Sequence, residues 1–311
     1  MSQKTATREA YGNALAKLGE THHFYVLDAD LSKSTKTDTF KKKFPDRFIN
    51  CGIAEGNMVS VAAGIASTGV PVFVSSFAMF AAGRAFEQVR NSVGYPHLNV
   101  KICATHAGIT VGEDGATHQC NEDLALMRSI PGMVVMNPAD EKEAEAAVEA
   151  ALAIDGPVYI RFGRCAVPTV TEGLPFSVGK GQILREGKDV TIAATGFMTH
   201  LALEAAERLA EEGISACVAN FCTVKPIDRD LLEKCAKETG AILTCEEHNV
   251  LGGFGSAVAE AVAESYPVPV VRLGVEDRFG QSGSVPALLE EYGLTAENIA
   301  EKAKKAIALK R

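Results

Sequence analysis

The chain has no excess of positive charge: 31 lysines and arginines stand against 39 aspartates and glutamates, a net of -8. Without a positive field to recruit phosphate backbones, nucleic-acid binding is not expected. No run of apolar residues is long enough to cross a membrane, so no membrane span is expected. The opening Met1-Ser2-Gln3-Lys4-Thr5 lacks an apolar signal core, so secretion is not expected and the expected location is cytoplasmic. The cysteines lack paired spacing. None of Cys51, Cys103, Cys120, Cys165, Cys217, Cys222, Cys235 and Cys245 forms a CxxC unit, and most sit among apolar neighbours. They read as reduced, buried thiols. Short-period repeats and low-complexity segments are also missing.

What is present suits a globular chain of two domains: 311 residues, 47% hydrophobic and 23% charged. Short apolar runs at 24–27, 70–74, 100–104, 133–136 and 158–161 read as buried strands. Amphipathic segments at 7–18, 57–66, 80–92, 124–128 and 140–154 read as helices between them. This alternation predicts an α/β domain, a parallel sheet covered by helices on both faces. Around residues 165–188, Pro168, Gly173, Pro175, Gly179, Gly181 and Gly187 break the periodicity, which predicts a linker and a first strand. A second alternation follows, with strands at 190–194, 215–219, 241–245 and 268–273 and helices at 200–212, 229–238 and 255–264. The expected units are residues 1–168, a linker 169–188, and a smaller α/β domain at 189–311.

Five stretches carry candidate chemistry. In Gly52-Ile53-Ala54-Glu55-Gly56-Asn57-Met58, Glu55 reads either as an ordinary helix-start acid or as a buried carboxyl that grips a heterocycle nitrogen. In the second reading Ile53, Ala54, Met58 and Val59 keep water away from it. In Ser75-Ser76-Phe77-Ala78-Met79-Phe80, Phe77 and Phe80 share a face if the stretch starts a helix. They read as core packing or as a stacking wall for a flat ligand. The loop His106–Gln119 packs two histidines, two acids and three glycines into fourteen residues after a strand, where open parallel sheets place ligands. No His-x-x-x-His helix or CxxC pair accompanies it, so no metal site is expected in this chain. Arg164 just past a strand, with Arg8 and Ser34, could hold a phosphate. Finally, Glu246-Glu247-His248 leads to Gly252-Gly253-Phe254-Gly255, which is neither a dinucleotide fingerprint nor a P-loop and reads as a tight turn for close packing.

In this order, Ala6-Thr7-Arg8-Glu9-Ala10-Tyr11-Gly12, Asp46-Arg47-Phe48, Ala54-Glu55, Ser76-Phe77-Ala78-Met79-Phe80, Arg84-Ala85-Phe86-Glu87-Gln88, Gly112-Glu113-Asp114-Gly115-Ala116-Thr117-His118-Gln119, Glu246-Glu247-His248 and Gly252-Gly253-Phe254-Gly255 resemble the C-terminal half of the transketolase family over nearly the whole chain. The resemblance implies a thiamin-diphosphate-binding (pyrimidine) domain followed by the family's C-terminal domain. It implies that Glu55 contacts the N1′ nitrogen of the cofactor's aminopyrimidine, favouring the imino form of the neighbouring amino group that removes a proton from the thiazolium carbon. Phe77 and Phe80 would pack on the pyrimidine, and Asp30 would lie near the cofactor. The family often has a further aromatic near the position of Gly83. His106 and His118 would hydrogen-bond substrate and shuttle protons, Asp114 would bind a sugar hydroxyl, and Arg8, Ser34 and Arg164 would clamp the sugar phosphate.

One family feature is missing. Single-chain members hold the diphosphate through Gly-Asp-Gly and a divalent ion bound by Asp and Asn. The only Asp-Gly pairs here are Asp114-Gly115 and Asp155-Gly156. With Met1 just ahead of the pyrimidine domain, the expectation is a split transketolase. Thiamin diphosphate and Mg²⁺ or Ca²⁺ would then be bound through a separate N-terminal subunit, in an α2β2 complex acting on sugar phosphates of the pentose phosphate pathway. The alternatives are a truncated chain, the β subunit of a 2-oxoacid dehydrogenase E1 component, a 1-deoxyxylulose-5-phosphate synthase-like enzyme, and a non-catalytic scaffold subunit.

Overall fold

The structure, a computed structural model, describes residues 4–310; residues 1–3, part of the polar start read above, and residue 311 lie outside that range. It contains two α/β units in series. The first sheet has seven strands in the order Thr223–Lys225, Val134–Met136, Val158–Arg161, Val100–Thr105, Val72–Phe77, Tyr25–Asp28 and Phe48–Asn50. All its pairings are parallel except the one made by Thr223–Lys225. Side chains alternate between faces. Val72 and Val74 enter one core with Met58, Val59 and Ala62, while Phe73 enters the opposite one with Tyr11, Leu15 and Val148.

The second sheet runs Val270–Val275, Ile242–Asn249, Val190–Ala194, Ala216–Asn220 and Gln182–Arg185, the last antiparallel to its neighbour. Helices Met198–Glu211 and Ala296–Ala308 cover one face. On the other face, Leu232, Ala236, Phe254 and Val258 belong to the same buried cluster as Met58, Val74 and Met127 of the first unit. The two units therefore share one continuous core. The Thr223–Lys225 strand adds a second junction by closing an edge that would otherwise be unpaired. It was not expected, because three residues carry no readable period.

Two expected elements shift in ways that matter. The strand expected at 70–74 runs from Val72 to Phe77, so Phe77 ends a strand instead of opening a helix. The strand expected to stop at Cys245 continues to Asn249. Glu246, Glu247 and His248 are thereby buried strand residues. Charge hid them, because a buried acid looks like loop until its partners are known. Glu246 has two such partners, the N–H groups of Phe254 (2.6 Å) and Gly255 (2.8 Å) at the start of helix Phe254–Glu264. The glycine turn does pack closely: a Cβ on Gly253 would lie 2.2 Å from Glu246 Oε2. Six cysteines are buried and two are half-buried. Among the described residues no helix is long and apolar enough to cross a membrane.

Asp140 caps helix Glu141–Ala153 by accepting from Glu143 N–H at 3.0 Å, and also accepts from Val170 N–H (2.6 Å) and from the N–H and hydroxyl of Thr171 (both 2.7 Å). The substitution Asp140→Ala is expected to cost about 3 kcal/mol, combining a lost cap with lost charged hydrogen bonds. Chemical denaturation measures this directly, and an unchanged midpoint would contradict it.

Candidate active site

The parallel strands of the first sheet end on one edge, and the candidate residues leave from there. Asp30 follows Tyr25–Asp28, Glu55 follows Phe48–Asn50, Phe77 ends Val72–Phe77, His106 follows Val100–Thr105, and Arg164 follows Val158–Arg161.

Glu55 opens helix Glu55–Ala66 and is 1% exposed. The expected apolar enclosure is only half present: Met58 and Val59 are buried, but Ile53 is 78% exposed. A guanidinium completes the site instead. Arg84 donates to Glu55 Oε2 at 2.9 Å, and Ser76 donates its hydroxyl to Oε1 at 3.3 Å. A charge kept from water needs such a partner. Arg84 reaches it because Met79–Arg84 winds as a π-helix, with Ala85 N–H donating to Phe80 carbonyl at 3.2 Å, five residues back. Arg84 lies within a family motif, yet no role for it was legible there, since an extra residue in a helical turn leaves no local mark.

Phe77 and Phe80 do form a wall, although not as neighbours on one helix. Their rings stack 6.0 Å apart at 18°. His106 lies 3.9 Å from Phe77 between ring centroids, and His118 meets Phe80 edge-on at 5.3 Å. The guanidinium of Arg84 sits 4.7 Å over Phe80. Glu55, Phe77, Phe80, His106 and His118 thus converge, with Arg84 added.

His106 adopts a left-handed backbone, φ 56°, which is strained for a residue with a side chain. Its Nε2 lies 3.1 Å from Arg8 Nη1, and its Nδ1 lies 2.9 Å from Thr105 Oγ1. A guanidinium only donates, so Nε2 is the acceptor and the proton belongs on Nδ1. Burial, then the charges of Arg8, Arg164, His118 and Lys36, push its pKa down to about 3. His106 is therefore a neutral acceptor. His118 is half-buried, with Nδ1 2.9 Å from Thr117 Oγ1.

Arg8 also donates to the carbonyl of Ser34 at 2.8 Å, so Arg8, Ser34 and His106 meet, with Ser34 contributing backbone to that contact. Arg164 turns toward the loop, donating to Val111 carbonyl and, at 3.4 Å, to Glu113. Asp114 is exposed on the same loop. Asp30 stands apart from the ring cluster, exposed and accepting from Asn50 Nδ2 at 2.8 Å. A buried carboxylate beside two stacked rings suits a flat, nitrogen-bearing heterocycle, and the cationic surroundings of His106 suit an anion. Among the described residues no group of three or more His, Cys, Asp or Glu could hold a metal ion.

The first part of the chain, residues 3–169, matches the family model for the transketolase pyrimidine binding domain, and residues 179–299 match the transketolase C-terminal domain. A protein of Methanocaldococcus jannaschii described as a transketolase C-terminal section is 48% identical, across 95% of this chain and 94% of its own length. Human transketolase is 41% identical across 97% of this chain, which spans 49% of the human protein. A solved structure described as a split-gene transketolase in an inactive β4 tetramer superposes with TM-score 0.91 at 55% identity, covering 99% of this chain and 100% of that one.

The folded chain resists protonating His106, whereas an unfolded histidine takes its proton near pH 6.5. Its contribution to stability is thus full above about pH 6.5 and is lost as the pH falls toward 3. In an NMR titration the His106 ring is expected to keep neutral-form shifts from about pH 8 to about pH 5. A midpoint near 6.5 would contradict the burial and field described here.

Proposed function

The chain belongs to the transketolase family, and on that premise we propose that it supplies the aminopyrimidine-binding half of a thiamin-diphosphate site in a split transketolase. The observation that carries the reading is the buried Glu55 carboxylate beside the Phe77–Phe80 wall. In the proposed complex a separate N-terminal subunit binds the diphosphate together with Mg²⁺ or Ca²⁺, and two copies of each subunit assemble. Two findings support this division. The chain matches a relative described as a transketolase C-terminal section over 94% of that relative's length, and its 55%-identical neighbour is described as a split-gene transketolase in an inactive β4 tetramer.

When bound, the cofactor would supply a carbon nucleophile and an electron sink for moving a two-carbon ketol unit from a ketose phosphate to an aldose phosphate. The residues of this chain do the rest. Glu55 hydrogen-bonds the ring nitrogen, and Phe77 and Phe80 pack on the ring while excluding water. His106, kept neutral by burial and the neighbouring cations, accepts a hydrogen bond from a substrate hydroxyl at Nε2 once Arg8 turns to the phosphate, and the half-buried His118 is better placed to exchange protons. Asp114 binds a sugar hydroxyl. Arg8, Ser34 and Arg164 hold the phosphate, for which Arg164 must release Val111 and Glu113. Asp30 marks the outer edge near the cofactor. Residues 1–168 are the pyrimidine-binding unit, 169–188 the connection and 189–311 the C-terminal domain, and the pathway served is the pentose phosphate pathway.

The purified chain alone is expected to be inactive, and ketol transfer from xylulose 5-phosphate to ribose 5-phosphate should appear when the second subunit, thiamin diphosphate and Mg²⁺ are added. In that complex Glu55→Gln is expected to lower turnover about 100-fold or more. Full activity of the chain by itself, or of Glu55→Gln in the complex, would sink the reading. Pyruvate with a lipoyl acceptor, or with glyceraldehyde 3-phosphate, should be poor substrate pairs. Asp114→Ala is expected to reduce discrimination between sugar stereoisomers about tenfold while leaving cofactor affinity nearly unchanged. Equal losses in both would contradict the role given to Asp114.

A further inference from the structure

None of the residues proposed above to touch cofactor or substrate lies in the second domain, yet that domain grips the loop that bears three of them. Strand Ile242–Asn249 runs out toward the first domain, and alternation sends its last side chains in two directions. Glu246 serves its own domain by capping helix Phe254–Glu264. Glu247 points the other way, and its Oε1 accepts the backbone N–H of Thr110 at 2.6 Å. Thr110 lies four residues after His106 and four before Asp114.

The grip is fitted on both sides. The carboxylate lies against Gly108 so closely that a Cβ there would be 2.3 Å from Oε1, and Gly108 has φ 76°, a conformation that favours glycine. Behind it, the Glu247 carbonyl accepts from Arg161 Nη2 at 2.8 Å, and Arg161 is paired with buried Asp123 at 2.9 Å. Asn249 N–H donates to Asn121 carbonyl at 2.7 Å, so the strand end is tied to the first domain on either side of the carboxylate. The loop is also held to the second domain by neutral contacts: Ile109 is buried in that domain's core, Gln119 Nε2 donates to Gln281 carbonyl at 2.9 Å, and Ser282 hydroxyl donates to Glu113 carbonyl at 2.6 Å.

We propose that Glu247 is a positioning residue, a buried acid lent by the C-terminal domain that fixes the His106–His118 loop by holding the N–H of Thr110 against Gly108. It touches neither cofactor nor sugar and acts through the backbone. The inference rests on the reading of this loop as the substrate wall. Its physical logic is that the loop contains a left-handed His106 and several left-handed glycines, a shape that persists only where the surroundings hold it. A small displacement of such a wall is enough to slow a reaction strongly.

The test uses the complex with the diphosphate-binding subunit, in wild-type form and with Glu247→Gln, Glu247→Ala and Gly108→Ala. Hydrogen exchange of the 106–119 segment needs no substrate. It is expected to quicken about tenfold in Glu247→Ala and Gly108→Ala, and to stay near wild type in Glu247→Gln, whose amide oxygen still accepts from Thr110. Turnover should fall about tenfold or more and the KM for the ketose phosphate should rise in the same two variants, while thiamin diphosphate affinity is kept and Glu247→Gln is largely rescued. Unchanged loop exchange in both Glu247→Ala and Gly108→Ala would overturn the proposal. So would faster exchange with unchanged turnover and KM, or a loss of cofactor affinity that Glu247→Gln shares. If the wild-type complex transfers no ketol unit, the functional reading fails by itself, and the exchange data still decide whether Glu247 holds the loop.

Discussion

A carboxylate removed from water must be answered by a cation or by hydrogen-bond donors, and at Glu55 the answer is one guanidinium and one hydroxyl. The arrangement is lopsided. The acid is 1% exposed and fixed at a helix start, whereas the Arg84 side chain is 53% exposed. The fixed member is the acid and the movable member is the cation. That asymmetry leaves Glu55 held in place whichever donor it faces. It also explains the π-helical turn at Met79–Arg84, since the extra residue brings Arg84 to the acid and over the Phe80 ring at once.

Around that acid the first sheet places Asp30, Phe77, His106 and Arg164 just beyond the carboxyl ends of its parallel strands, and Arg8 joins them from helix Thr7–Leu18. The loop after Val100–Thr105 departs most from regular backbone, with left-handed residues at 106, 108, 112 and 115. Each non-glycine residue in such a conformation costs about 1–3 kcal/mol, which other contacts must offset. Part of the offset is local, in Gly108 N–H to Cys120 carbonyl at 2.9 Å and Thr105 to His106 at 2.9 Å. The remainder crosses from the second domain. The continuous core and the borrowed Thr223–Lys225 strand give that domain a firm footing from which to act.

The alternation of apolar runs and amphipathic segments was legible because parallel strands buried on both faces and helices buried on one leave different periods. The strands at 158–161 and 190–194 are observed as expected. The candidate site was proposed as a set of residues through a family resemblance carried by motif order, and the structure brings Glu55, Phe77, Phe80, His106 and His118 together. The contacts among them were not legible. Arg84 depends on a π-helical turn, the neutral state of His106 on its burial and on cations distant in sequence, and Glu247 on a strand that stays buried while carrying charge. Each is decided by tertiary neighbours, which local pattern cannot report.

The most direct measurement is a high-resolution structure of this chain assembled with its diphosphate-binding subunit and thiamin diphosphate. A Glu55 carboxylate oxygen is expected within about 3 Å of the pyrimidine ring nitrogen, with the ring lying against Phe77 and Phe80. A pyrimidine seated elsewhere, with Glu55 still bound only to Arg84 and Ser76, would contradict it.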